Sequence, residues 1–120
     1  MKKTKEEISM KTTVNTKVAG ITFGERQTAC AIMMRAKQHG ERVYVSLRRE
    51  KKNPYDKNAV KVLMHCPARK LHYTIGYVPK AQSTQLAPSM DDGKKPFVLS
   101  HELRYNNRDR VYYCQLKYSV

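Results

Sequence analysis

No apolar run in this sequence approaches the roughly 20 residues that a membrane-spanning helix requires, so no membrane span is expected. Cysteine is scarce as well. Cys30, Cys66 and Cys114 are odd in number, far apart and free of any C-x-x-C spacing. A disulfide framework is therefore excluded, and a reducing, cytoplasmic location is expected. Nothing matches G-x-x-x-x-G-K-[ST], the loop with which a nucleotide-driven motor cradles phosphate. Carboxylates are few, 10 Asp+Glu in 120 residues, and Asp91–Asp92 is the one adjacent acidic pair beyond the opening segment. A metal-dependent nuclease needs clustered acids, whereas this pair stands where a helix is expected to end. No catalytic residue and no cofactor is assigned. There is no internal repeat and no low-complexity segment beyond the N-terminal tail.

What the chain has in excess is positive charge. Its 24 Lys+Arg leave a formal charge of +14, which points to a polyanionic partner, nucleic acid before a membrane surface. The opening "MKKTKEEISMK" begins like a secretory signal. Glutamates and a lysine then occupy the positions its apolar segment would need. Residues 1–12 are read as a flexible basic tail, and residues 13–120 as a single domain built on one core.

Periodicity gives the element order. "VNTKVAGITF" (Val14 to Phe23) is rich in β-branched residues and reads as a strand. In "TFGERQTACAIMMRAKQHG", Thr22 and Glu25 have capping-box spacing. Ala29, Ile32, Met33 and Ala36 then follow a helical step, and Gly40 is a C-terminal stop. Val43, Val45 and Leu47 alternate with Tyr44, Ser46 and Arg48, as in a strand with one buried face. "AVKVLMH" (Ala59 to His65) alternates again and is expected to pair with it. "LHYTIGYVP" gives a further strand, and Pro79 starts a short helix that Pro88 and "MDDG" close. Strands near Pro96–Tyr105 and Arg110–Tyr118 complete the chain. Without a repeated βα alternation there is no parallel sheet. The expected fold is mainly β: a small antiparallel OB-like barrel of about six strands with two short helices.

Between two of these strands lies "NPYDKNAV". Asn53 opens a turn, Pro54 fixes φ, and Asp56 can accept backbone N–H bonds two residues on. None of this asks for an aromatic at position 55. Tyr55 either folds back as a lid on the barrel or faces a ligand. The neighbouring run Arg48 to Lys52 is either solvated surface or a phosphate-binding strip, as is Lys94–Lys95. Tyr73, Tyr112 and Tyr113 are given structural roles. His65, Cys66 and His72 offer three metal-ligand types on one hairpin, but no fourth ligand is evident and no common spacing is matched, so no metal site is assigned.

Three strings, "VAGITF", "LRREKKNPYDKNAVKV" and "IGYVPKAQSTQLAPSMDDG", occur in order and at the proper spacing, and together they resemble the HIRAN domain. That family occurs at the N-terminus of fork-remodelling DNA translocases and as free-standing small proteins. The resemblance runs from about Val18 to Gly93 and on toward the end of the chain. It implies an OB-like barrel that captures single-stranded DNA, in the best-understood members at its free 3′ end. It makes Asp56 the reader of the terminal hydroxyl and Tyr55 the support of the terminal base or sugar. Phe23 matches a stacking position. Thr22 stands where relatives carry arginine, so Arg26 or Arg48 is expected to substitute. Tyr77 stands in place of a histidine, its hydroxyl a donor for phosphate, and Lys80 matches a lysine suited to the backbone. Lys51 takes a place where proline is common, which implies a more mobile loop.

The expected interface is thus Phe23, Arg48, Lys52, Tyr55, Asp56, Tyr77 and Lys80, in a non-enzymatic module of DNA repair or fork processing. Its expected partners are single-stranded DNA, with a helicase, translocase or other repair protein alongside. If the source is bacterial, nucleoid association is expected. The rival reading is an adaptor that binds a protein partner and has only general nucleic-acid affinity.

Overall fold

The computed structural model describes residues 13–120; the tail expected over residues 1–12 lies outside them. The described elements are β1 (Thr13–Lys17), α1 (Arg26–Gln38), β2 (Tyr44–Arg49), β3 (Val60–Cys66), a 3-10 turn (Pro67–Arg69), β4 (Leu71–Tyr77), α2 (Lys80–Asp91), β5 (Phe97–Asn106) and β6 (Val111–Ser119). The mainly-β chain with six strands and two helices is therefore as expected. The strands form two antiparallel three-stranded sheets, ordered β1-β6-β5 and β2-β3-β4.

The ladder does not close into a barrel. At one seam the chain itself crosses: the Val18 amide bonds the Cys114 carbonyl of β6 at 2.9 Å, and Ala19 exchanges two bonds with Tyr77 of β4 at 2.8 and 2.9 Å. At the other seam β2 and β5 pack side by side without a ladder. A single segment can stitch only one seam, and side chains fill the second. Bulges at Ile75 in β4 and Leu99 in β5 each add a residue opposite their partner strand, which bends these strands around the core.

Crossing from sheet to sheet also ends the first strand early. The sequence pattern carries it to Phe23, but pairing with β6 stops at Lys17. The β-branched Val18 and Ile21 are single buried anchors, and Gly20 turns the chain with φ +69. The expected capping box does not form. Gly24 adopts φ +61, which moves the helix start to Glu25 as N-cap, with no side-chain bond. Thr22 is left exposed in the preceding turn.

The other end of α1 is as its glycine predicts. Gly40, at φ +78, gives its N–H to Lys37 and Glu41 gives its N–H to Ala36, at 2.9 and 3.0 Å. These two bonds make a Schellman stop. In α2, Pro88 does not end the helix, which continues to Asp91. Pro88 lies on the exposed face of that helix.

Ala29, Cys30, Met33 and Ala36 bury one face of α1 against the sheets, among Val60, Val62, Met64, Ile75, Leu103 and Leu116. The three cysteines lie in this core as free thiols. Burial pushes the Cys30 thiol up to about 11 and that of Cys114 to about 12. Tyr118 is a core residue, 1% exposed. Tyr112 meets Tyr105 edge-on at 4.9 Å, and Tyr113 lies beneath the Lys17 ammonium.

Candidate nucleic-acid interface

The β2–β3 connection is held by side chains rather than by a backbone hairpin alone. Asn53 Oδ1 accepts the Tyr55 and Asp56 amides at 2.8 and 2.9 Å, and Asp56 Oδ1 accepts the Asn58 amide at 2.9 Å. These are local Asx bonds, the reason short polar residues dominate such turns. Arg49 secures the base, donating to the carbonyls of Ala59 and Lys57 at 3.0 and 2.7 Å. On this framework the Tyr55 ring stands 92% exposed. It does not fold back as a lid.

Beside the turn a cleft of about 630 Å³ opens between the Gly20–Arg26 segment, the turn and β4. Phe23, Lys52, Tyr55, Asp56 and Tyr77, five of the expected interface residues, line it together with Arg26 and Glu50. Arg48 and Lys80 do not line it. Arg48 is exposed on β2, and Lys80 is exposed at the first residue of α2. Between the two substitutes expected for Thr22, it is Arg26 that enters the cleft. Its guanidinium lies 5.4 Å from the Phe23 ring centre and 5.3 Å from that of Tyr77. It also donates to the Gly20 carbonyl at 2.7 Å. Two rings and a carbonyl fix this cation where a flexible lysine would not be fixed.

Glu50 was not read from the sequence as a site residue. Its carboxylate receives Asn53 Nδ2 at 2.7 Å, the Tyr77 hydroxyl at 2.8 Å and Lys61 Nζ at 2.9 Å. Burial alone would raise the Glu50 pKa. The three donors outweigh it and hold the carboxyl below its usual range. Burial and the Glu50 carboxylate together push the Tyr77 phenol above its usual value. The Tyr77 proton is thus committed to Glu50 in this structure, not to the phosphate expected from the sequence. One signal was available: Glu50 is the one carboxylate inside the basic run 48–52.

Asp91 pairs with Arg49 through two bonds of 3.0 and 3.2 Å, with Lys51 at 3.7 Å. The Arg49 guanidinium holds its carboxyl below the usual range. This acid ties the end of α2 to the base of the turn. Among the described residues no group of three His, Cys, Asp or Glu is arranged to hold a metal ion. Cys66 turns into the core and meets Glu41, whereas His65 faces outward.

A family model described as HIRAN domain matches residues 11–119. A crystal structure of the HIRAN domain of human HLTF is similar to the chain at 18% identity, covering 89% of this chain and 74% of that one, with a TM-score of 0.47. No curated protein matches it.

Proposed function

Because the chain belongs to the HIRAN domain family, a family of DNA-binding domains, we propose that it is a non-enzymatic module that captures single-stranded DNA and holds the free 3′ end in the Phe23–Tyr55–Tyr77 cleft. The observation that carries this reading is the pairing of Tyr55 and Asp56 at the rim of a cleft that also contains Arg26 and Lys52. Asp56 Oδ1 is used by the turn, whereas Oδ2 has no hydrogen-bond partner among the described residues. A free carboxylate oxygen accepts from a 3′-hydroxyl and repels a phosphate. It therefore separates the end of a strand from its middle.

Each remaining group has a matching task. Tyr55 and Phe23, exposed by 92% and 72%, offer faces on which a base can stack for roughly 1–3 kcal/mol. Arg26 and Lys52 meet the phosphate that precedes the terminal sugar. The charge of +14 supplies most of the affinity, with the 55–56 corner supplying the discrimination. A module of this kind serves DNA repair or fork processing, beside a helicase or translocase that works on the captured strand.

The test compares oligonucleotides ending in 3′-hydroxyl and in 3′-phosphate. The intact protein is expected to prefer the hydroxyl, and Asp56→Ala to lose most of that preference. Equal binding of both ends by the intact protein rejects end reading.

A further inference from the structure

The face of the β2-β3-β4 sheet turned away from the core is mostly polar and charged, with Leu63 as a buried apolar exception, and it continues from the cleft. Pairing register sets three cross-strand rows on it: Arg48, Lys61 and Tyr77; then Ser46, Leu63 and Thr74; then Tyr44, His65 and His72. The first row adjoins the cleft, which Tyr77 lines and to which Lys61 is tied through its pair with Glu50.

The last row is a column of rings. Tyr44 and His65 stack at 4.5 Å with their planes 8° apart, and His65 and His72 follow at 6.0 Å and 28°. The Arg42 guanidinium caps the column 4.5 Å from the Tyr44 ring centre. Ser46 Oγ holds His65 Nε2 at 2.7 Å. Arg42 and Arg48 are exposed, and neither takes part in any ion pair among the described residues.

A ring ladder across three strands stabilises a sheet, and that would account for the rings alone. It does not account for two unpaired guanidinium groups flanking them, while Glu50, the carboxylate beside the first row, is already neutralised by Lys61. Rows two residues apart are spaced by ~6.7 Å, so the column lies ~13 Å beyond Tyr77, the reach of about four stacked nucleotides.

We infer that this face is a second contact surface for the same single strand. It carries the nucleotides upstream of the 3′ end from Tyr77 past Arg48 to the Tyr44–His65–His72 column. Arg48 and Arg42 neutralise phosphates, and the open faces of Arg42 and His72 receive bases. Charge complementarity and continuity with the cleft select a single-stranded nucleic acid as the occupant. The inference rests on the cleft reading for the position of the strand's end.

The experiment measures affinity against length, with oligothymidylates of two to ten nucleotides ending in 3′-hydroxyl. Three proteins are compared: the intact protein, the double variant Arg42→Ala/Arg48→Ala, and the charge-matched control Lys94→Ala/Lys95→Ala. Affinity of the intact protein is expected to rise until the oligomer passes the cleft by about four nucleotides. In the Arg42/Arg48 variant the octamer-to-dinucleotide affinity ratio falls roughly tenfold, and the salt slope for the octamer falls by about 1.4. The control is expected to keep the ratio. Equal losses in both double variants, or affinity that is flat beyond the dinucleotide in the intact protein, would overturn the inference. A further octamer ending in 3′-phosphate reads the end preference separately; equal binding of the two octamers by the intact protein sinks end reading and not this surface.

Discussion

The Tyr77 hydroxyl donates its single proton to Glu50 Oε1 across 2.8 Å, and the same carboxylate oxygen takes Asn53 Nδ2 at 2.7 Å. Tyr77 is therefore not a free donor for phosphate, although its ring still supports Arg26. Tyr77→Phe keeps the ring and removes only the hydroxyl. It should cost about 0.5–1.5 kcal/mol of stability and leave DNA affinity within roughly twofold. Urea unfolding and fluorescence anisotropy measure the two effects, and a large affinity loss would show that the hydroxyl contacts the ligand.

Arg26 stands between two rings, and Arg26→Ala should weaken single-strand binding and lower the salt slope by about 1. Arg26→Lys keeps the charge but loses the planar group that both rings and the Gly20 carbonyl hold. It should recover the slope without recovering the full affinity. Titrations over a range of salt concentrations separate these two parameters. Full recovery by lysine would mean that only the charge matters.

Asp56 has a structural bond and a free oxygen, and two substitutions separate them. Asp56→Asn keeps an oxygen for the Asn58 amide and should stay within about 0.5 kcal/mol of the parent stability. Asp56→Ala leaves that amide unpaired and should cost about 1 kcal/mol. Both variants should lose the preference for a 3′-hydroxyl. If asparagine keeps that preference in binding competition, the carboxylate charge is not what reads the end.

Gly76 lies where β4 meets the crossing segment, and a Cβ there would come within 2.4 Å of both the Ala19 carbonyl and the Val18 side chain. Backbone cannot yield as a side-chain tip does. Gly76→Ala should destabilise the fold by roughly 1–3 kcal/mol and shift the Gly20–Arg26 wall of the cleft. Thermal unfolding and DNA titration should therefore change together, and a parent-like Tm would contradict the close approach.

Stability should fall with pH in two steps. Burial, His72 and Arg48 lower the His65 pKa, and burial and Lys37 lower that of His101. Both imidazoles protonate less readily in the folded chain than in the unfolded one. Their contribution is complete above about pH 6.5 and is lost as pH falls toward the depressed folded values. Glu50 and Asp91, held below the usual carboxylate range, contribute above about pH 4 and lose that contribution at lower pH. Tm measured from pH 8 to pH 3 should show both declines. His65→Gln combined with His101→Gln should remove the first, and an unchanged first decline in that double variant would assign it to other groups.

Much of this was legible in the sequence wherever the cause is local. Alternation through Val45 and Leu47 gave β2, Gly40 gave the end of α1, and "NPYD" gave the turn but left the placement of the Tyr55 ring open. Signals read from short windows failed where a distant partner decided the outcome. Val18 and Ile21 have strand propensity, but the chain must cross there from β6 to β4, so they anchor rather than pair. Thr22 and Glu25 have capping-box spacing, but Gly24 in the left-handed region separates them from a common helix start. The role of Glu50 was not legible because its partners, Asn53, Lys61 and Tyr77, converge only after three strands have paired. The Tyr44–His65–His72 column was invisible for the same reason, since only register unites those positions.

Asn53, Asp56 and Arg49 fix the residue 53–58 turn from three sides before any ligand is present. On the proposed reading, capture at this corner is a collision with a finished shape rather than a folding event. The on-rate should then be set by how fast opposite charges draw the strand in, and it should slow as ions shield that pull.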